Sequence, residues 1–114
     1  MEVQGKYYNI EKLIGNTNGN EDFIHNLIKV FIRNNQVDNF SKLLEKKDFS
    51  NLTSQLHKIK SNLPYLAQPE IVNSISNIHL LALNKKEREL KIELPLAISD
   101  LKNLIKELNE KFID

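Results

Sequence analysis

The feature that most constrains the fold is a run of apolar residues in the middle of the chain, spaced alternately three and four positions apart. Its members are Phe49, Leu52, Leu56, Ile59, Leu63 and Leu66. This spacing aligns the apolar side chains along one narrow seam of an α-helix. Helices with such a seam pack against their neighbours at the shallow angle of four-helix bundles. The run therefore predicts a helix that lies within a bundle.

The remaining apolar residues also recur at helical spacing, and only three Gly and three Pro interrupt the 114 residues. A short first helix is predicted after Asn9, a good capping residue, and Gly15 is predicted to end it. Asn20 is predicted to cap a long second helix that ends at Lys46 and Lys47. The apolar positions assigned to its core face are Phe23, Leu27, Val30, Phe31, Val37, Phe40 and Leu44.

Two further helices complete the predicted fold. One begins at Pro69 and fades near Asn84. The last begins either at Pro95 or near Glu87 with a kink at Pro95, and its apolar positions are Ile98, Leu101, Ile105, Leu108 and Phe112. We therefore expect residues 1–114 to form one all-α domain, an up-and-down four-helix bundle with a short extra N-terminal helix.

Composition excludes several classes of function. The 16 Lys and Arg nearly balance the 15 Asp and Glu, which argues against a nucleic-acid binder because such proteins concentrate positive charge. There are no cysteines, and the three histidines lack the spacing of metal ligands, so neither disulfide nor metal is expected. No apolar run approaches the roughly 20 residues that span a bilayer, and the N-terminus lacks the apolar segment of a signal peptide. We therefore expect a soluble, cytoplasmic protein.

The polar residue that most needs explanation is His57. At 100° per residue it lies about 130° from the centre of the apolar seam, so it is predicted to face water, with Lys60 and Ser61 one turn further on. A neutral imidazole is a good nucleophile for phosphorus, and a lysine nearby would stabilise the oxygens of an incoming phosphoryl group. An exposed histidine with a neighbouring lysine is also common on ordinary helix surfaces, so spacing alone leaves both interpretations open.

Residues 56–61, LHKIKS, resemble the H-x-L-K-G signature of histidine-containing phosphotransfer (HPt) domains. The resemblance extends over residues 8–112. It includes the acidic-aromatic pair Asp48-Phe49 ahead of the active helix and Leu94-Pro95 at the opening of the last helix. It implies a carrier in a bacterial two-component phosphorelay, in which His57 accepts a phosphoryl group from a receiver-domain aspartate and passes it to another receiver.

The resemblance also implies what such a carrier lacks and what it binds. It is not an enzyme and holds no cofactor, because the receiver domain supplies the acidic pocket and the Mg²⁺. Lys60 matches the family's basic position and would stabilise the phosphoryl group. The expected partners are response-regulator receiver domains or a hybrid histidine kinase, bound by a monomer through an apolar patch near the histidine. The stripe Ile24, Ile28 and Ile32 is expected to widen the core of the second helix; if an apolar patch is exposed near the histidine, it is expected at this stripe and at Pro64 and Tyr65.

Four positions depart from the family pattern. Ser61 and Ala67 stand where the family has glycines, and both are still small. Pro64 is expected to kink or break the helix close to its active face. His79 stands where the family often has Gln or Glu; it is expected either to hydrogen-bond to His57 or the phosphoryl group, or to be an ordinary histidine at the edge of the bundle.

Two alternative functions stay open from the sequence. The first is an interaction module that binds a receiver or kinase but never carries phosphate, which the departures at Pro64 and Ala67 allow. The second is a structural bundle that dimerises. The presence of both His57 and Lys60 favours the phosphoryl carrier over either alternative.

Overall fold

A computed structural model describes residues 2–113, and within this range the chain is helical, with short connections between the helices. The α-helices are α1 (Glu11–Thr17), α2 (Glu21–Asn34), α3 (Asp38–Glu45), α4 (Phe49–Asn62), α5 (Pro69–Leu83) and α6 (Glu87–Phe112). A single turn of 3₁₀ helix, Leu63–Tyr65, connects α4 to α5. Residues 2–113 form no β-strand, although Gln4 pairs with Asn9, and Tyr8 with Ala67, in isolated bridges. The prediction of an all-α fold is confirmed.

Four of the helices close a ring around the core. α4 packs against α5, α5 against α6, α6 against α3, and α3 against α4. α2 packs against α6 and α1, which in turn contacts the 3₁₀ turn. At 1.5 Å per residue, the 26 residues of α6 span about 39 Å, nearly the full 41 Å length of the molecule. In the described part of the chain, no helix is both long enough and apolar enough to cross a bilayer.

The apolar seam of α4 lies in the core, as its spacing predicts. Leu52, Leu56, Ile59 and Leu63 are fully buried, and Leu66 nearly so. Asp48 begins the helix by accepting a hydrogen bond from the backbone N–H of Asn51 at 3.2 Å. Because one side of α4 is packed into the core, its opposite side is left to solvent.

The long second helix predicted from residue 20 to residue 47 is wrong, because the chain breaks at residues 35–37 into α2 and α3. Asn35 leaves helical geometry and donates its side-chain Nδ2 to the carbonyl of Phe31 at 2.7 Å. Asparagine side chains that bond to nearby backbone compete with helix formation, and three consecutive amide residues stand at this point. Val37 is buried at the start of α3 and anchors the break in the core.

The core face predicted for the first half of that helix is also wrong. Ile24, Ile28 and Phe31 are buried, whereas the predicted core residues Phe23, Leu27 and Val30 are 51%, 38% and 47% exposed. The isoleucine stripe is therefore the core-facing side and not a site for an exposed patch. α2 carries apolar residues around much of its circumference, and periodicity alone does not say which side meets the core.

The ends of α1 and α4 differ from the predicted helix ends. The structure also decides where the last helix begins, which the sequence left open. α1 runs through Gly15 to Thr17, and its C-cap residue Asn18 has a φ of 53°, in the left-handed region. α4 ends at Asn62, so Pro64 lies in the 3₁₀ turn and produces the expected break without a kink inside the helix. The last helix begins at Glu87 and contains Pro95.

The segment that precedes α1 packs against the bundle. Tyr8 and Ile10 are fully buried. The carboxylate of Glu107 on α6 accepts the backbone N–H groups of Lys6, Tyr7 and Tyr8 at 3.1, 2.9 and 2.8 Å. These contacts connect the start of the chain to its last helix.

Candidate functional site

The structure places His57 on the exposed side of α4, opposite the buried seam. Ser61, one turn further along, is also exposed, and its Oγ donates a hydrogen bond to the backbone carbonyl of His57 at 2.9 Å. The serine hydroxyl is thereby turned toward the helix backbone, which leaves the space around the imidazole free for another molecule.

His79 of α5 lies directly beside His57. The two ring centroids are 5.8 Å apart, and the ring planes are tilted by 40°. His79 is only 8% exposed, and its Nδ1 is buried and has no hydrogen-bond partner within residues 2–113. His79 is therefore buried beside His57, and the structure shows no hydrogen bond between the two rings among the described residues.

The surroundings of His79 keep its ring neutral near pH 7. Burial lowers the pKa of His79 below the ordinary value of about 6.5, because the charged form loses its hydration. The positive charge of Lys60 lowers this pKa further, and His57 adds a smaller effect in the same direction. Lys60, which is half-buried on α4, is therefore close enough to influence His79 electrostatically.

A groove lined by side-chain amides lies next to His57, between α4 and the break that separates α2 from α3. Asn39 of α3 donates to Gln55 of α4 at 3.1 Å and joins the two walls. Sequence reasoning does not group these residues, because it does not predict the break. The groove is lined by Asn34, Asn35, Gln36, Asn39, Phe40, Gln55, His57, Lys58, Ser61 and Asn62.

A second, apolar groove adjoins the first. We call its exposed residues Phe23, Leu27, Val30 and Tyr65 the apolar surface. Asn34, Asn35 and Asn62 line both grooves, so the apolar surface is continuous with the surroundings of His57. Tyr65 was expected on the outer face, and it is 40% exposed. Periodicity assigns the other three residues to the core, so sequence reasoning misses most of this surface.

Other polar groups do not join this site. His25 lies on α2 and its ring packs edge-on against Phe112, with centroids 5.9 Å apart. Within residues 2–113, no cluster of three or more His, Asp or Glu side chains has the arrangement of a metal site. Ala67 is buried and pairs with Tyr8, so it supports the N-terminal segment rather than the surface around His57.

Comparison of the chain with protein-family models, with curated proteins and with solved structures finds no match. A functional assignment therefore depends on the geometry around His57 and on the resemblance of residues 56–61.

Proposed function

We propose that this chain is a histidine phosphotransfer protein of a two-component phosphorelay, with His57 as the residue that carries the phosphoryl group. The observation that carries the proposal is the environment of His57: an exposed imidazole contacts a buried second histidine, with the charge of Lys60 nearby. A carrier needs this exposure because donor and acceptor are both proteins whose active sites must close over the ring.

The proposed transfer has a simple chemical balance. An unprotonated ring nitrogen of His57 attacks the phosphorus of an aspartyl phosphate on the receiver domain. An N–P bond forms, the P–O bond to the aspartate breaks, and the aspartate leaves as a carboxylate with the electron pair. The ammonium group of Lys60 offsets the negative charge of the phosphoryl oxygens during and after transfer. The receiver supplies the Mg²⁺, and the reverse reaction delivers the group to a second receiver.

The architecture proposed for this function is an up-and-down four-helix bundle. In this architecture α2 and α3 count as one interrupted helix, and α4, α5 and α6 are the other three helices of the bundle. α1 is the extra N-terminal helix. The short connections between successive helices favour antiparallel neighbours. The proposal includes a single domain that acts as a monomer in the cytoplasm, where receiver domains are found.

We further propose that the apolar surface is where the receiver domain docks. Exposed aromatic and branched side chains that form one contiguous patch are typical of protein interfaces. Continuity with the groove around His57 means that a partner seated on Phe23, Leu27, Val30 and Tyr65 would extend over the imidazole. The shared amides would lie at the rim, where interfaces are polar.

The test is incubation of the full chain with a receiver domain phosphorylated on its aspartate with labelled phosphate. We expect label on this chain that is labile in acid and stable in base, as for phosphohistidine. His57→Gln should remain folded, because the side chain is exposed, and should take up no label. His25→Gln is the matched control, since it removes another exposed histidine that lies outside the site.

Label that persists on His57→Gln would place the acceptor elsewhere. Absence of label on the wild-type chain with several receivers would contradict the proposal.

The second candidate function is an interaction module that binds a receiver or kinase and carries no phosphate. The apolar surface favours it, because docking needs only that surface and not the imidazole. In that case wild type and His57→Gln would bind the receiver with equal affinity, and neither would take up label. Isothermal titration calorimetry with both proteins, run beside the labelling experiment, separates the two functions.

A further inference from the structure

Two pairs of lysines that are far apart in the sequence lie at the same end of the molecule. Lys46-Lys47 form the turn between α3 and α4, and Lys85-Lys86 form the turn between α5 and α6. The Nζ of Lys47 lies 3.8 Å from a carboxylate oxygen of Glu87, which connects the two turns. We call these four lysines the basic end. The groove between the turns is lined by Lys47, Asp48, Phe49, Ser50, Thr53, Ala82, Leu83 and Lys85.

The two turns have the same backbone structure. In each, the residue after the helix C-cap is left-handed, with a φ of 56° at Lys47 and 53° at Lys85. The N–H of Lys47 donates to Leu44 and that of Asp48 donates to Leu43, the hydrogen-bond pattern of a Schellman motif. The turn after α5 repeats this pattern. Glycine is the residue that such a backbone favours, so both turns hold a positive side chain where the backbone does not favour one.

The charge of the basic end is only partly offset. Within the described part of the chain, no carboxylate lies within ion-pair distance of Lys46, Lys85 or Lys86. Residues 45–48 and 84–91 together hold six Lys or Arg against four Asp or Glu, while the rest of the chain holds ten against eleven. The positive charge of the molecule is therefore concentrated at this end.

Exposed leucines lie beside these lysines. Leu83, the last residue of α5, is 53% exposed and lines the groove between the two turns. Leu80, one turn earlier, is 55% exposed. Basic side chains beside exposed leucines are typical of surfaces that bind anionic membranes, because the lysines meet the headgroups and the leucines meet the apolar boundary beneath them.

The size of the basic end favours a membrane surface over a protein partner. α6 runs along the 41 Å axis of the molecule and begins at Glu87, so the two turns lie at one end of that axis. Across the axis the molecule measures only 22 by 21 Å. A standard protein interface needs about 800 Å² on each partner, more than such an end face offers. Attraction to a charged bilayer adds up lysine by lysine and needs no large face.

We infer that the basic end adsorbs to bilayers that contain anionic phospholipids, with its four lysines facing the headgroups. The inference does not depend on phosphoryl transfer. Each lysine near such a surface strengthens binding about fivefold, so the contact is weak and reversible. His57 lies about two and a half helical turns, or about 14 Å, from Asp48 along α4, and it stays accessible while the basic end is adsorbed.

The test is cosedimentation of the full chain with phosphatidylcholine vesicles that either contain or lack phosphatidylglycerol. At low ionic strength we expect binding to the anionic vesicles alone, and about 0.3 M NaCl should release the protein, because salt screens exposed charges. The double variant Lys46→Gln, Lys86→Gln removes one charge from each turn and leaves the left-handed positions unchanged. It should raise the lipid concentration at half-binding about 25-fold.

The matched control is the double variant Lys12→Gln, Lys29→Gln. It has the same net charge, but its two exposed lysines lie on α1 and α2, outside the basic end. It should bind the vesicles as the wild type does. All four substituted lysines are exposed, so both double variants should remain folded, which circular dichroism checks.

Equal loss of binding in the two double variants would assign the effect to net charge and overturn the inference. It would also be overturned if the wild type did not bind anionic vesicles, or bound equally to vesicles without phosphatidylglycerol. Poly-glutamate is tested in parallel by titration calorimetry. Binding of poly-glutamate by a chain that leaves the anionic vesicles unbound would identify an acidic polypeptide as the ligand and reject the membrane.

Discussion

His57 and His79 have the same side chain, but their surroundings give the two imidazole rings different properties. His57 lies in solvent on α4, where a partner can reach it, while His79 is buried on α5 with its ring 5.8 Å away. Burial and the charge of Lys60 lower the pKa of His79. One ring is therefore accessible for chemistry and the other is held neutral as its neighbour.

At the residue scale, the buried His79 makes stability depend on pH. Its pKa in the folded protein is below the value of about 6.5 expected in the unfolded chain, so between those two pKa values the unfolded state binds more protons. The free energy of unfolding should fall as pH decreases from about 7 through this interval, and level off below the folded-state pKa. Urea denaturation at pH 7.5 and 5.5 measures the change. His79→Leu should lose less free energy of unfolding than the wild type between these two pH values. An equal loss in the two proteins would show that His79 is not the source of the pH dependence.

Lys60 is the second residue whose role can be isolated. Lys60→Ala removes the positive charge that would face the phosphoryl oxygens, and we expect phosphoryl uptake to slow about tenfold, which corresponds to about 1.4 kcal/mol. Initial rates of label uptake from a phosphorylated receiver measure this effect. Lys12→Ala is the control, because Lys12 is an exposed lysine of α1 that lines neither groove. Equal rates for Lys60→Ala and wild type would remove Lys60 from the mechanism.

At the scale of elements, α2 matters because of the side that it leaves uncovered. Its isoleucines face the core, and Phe23, Leu27 and Val30 are left on the outside. The break after Asn34 then turns the chain into α3 and sets the amide groove beside α4. A single continuous helix over residues 21–45 would have no irregular backbone beside α4. The break therefore creates the groove that His57 lines.

The apolar surface of α2 gives a prediction at this scale. Leu27→Asp puts a charge in the middle of the proposed docking surface, and we expect receiver binding to weaken at least tenfold while thermal stability changes little. Ile92→Asp is the matched control, since Ile92 is an apolar residue on the outer side of α6, 65% exposed, and lines neither groove. Titration calorimetry gives both affinities. Equal weakening by the two substitutions would show that the receiver does not dock on α2.

At the scale of the whole molecule, the N-terminal segment joins the two ends of the chain. The backbone N–H groups of Lys6, Tyr7 and Tyr8 donate to the carboxylate of Glu107. Nε2 of Gln68 donates to the carbonyls of Gly5 and Tyr8 at 2.9 and 3.3 Å. Gly5 fits closely, because a Cβ there would come within 2.7 Å of the Tyr8 ring. The segment therefore closes the end of the bundle formed by α5 and α6.

Loss of that carboxylate should lower global stability. Glu107→Ala leaves three N–H groups without their acceptor, two of them partly buried, and we expect the free energy of unfolding to fall by about 2–3 kcal/mol. Glu110→Ala, an exposed glutamate one turn along α6, should change it by less than about 0.5 kcal/mol. Urea unfolding of both variants measures the difference. A similar decrease in the free energy of unfolding of the two variants would show that the contacts between Glu107 and the N-terminal segment contribute little to stability.

Much of the fold is predictable from local patterns. The cap at Asn20, the start of α5 at Pro69 and its end near Asn84 appear as predicted, and Asn20 accepts from the N–H of Phe23 at 3.1 Å. The apolar seam is buried as predicted, although its last two members, Leu63 and Leu66, lie beyond the end of α4. These features depend on residues within a few positions of one another. The exposed side of α4, and with it the position of His57, follows from the same periodicity.

What the sequence determined by itself is therefore the helical class of the fold, most helix boundaries and the face of α4 that carries His57, because those depend on short-range periodicity and capping. Tertiary structure alone decided which side of α2 is buried, where the second helix breaks, how the N-terminal segment meets Glu107, and that His79 lies against His57. Each of these depends on residues far apart in the chain, and the burial of an apolar side chain is decided by the helix that happens to cover it.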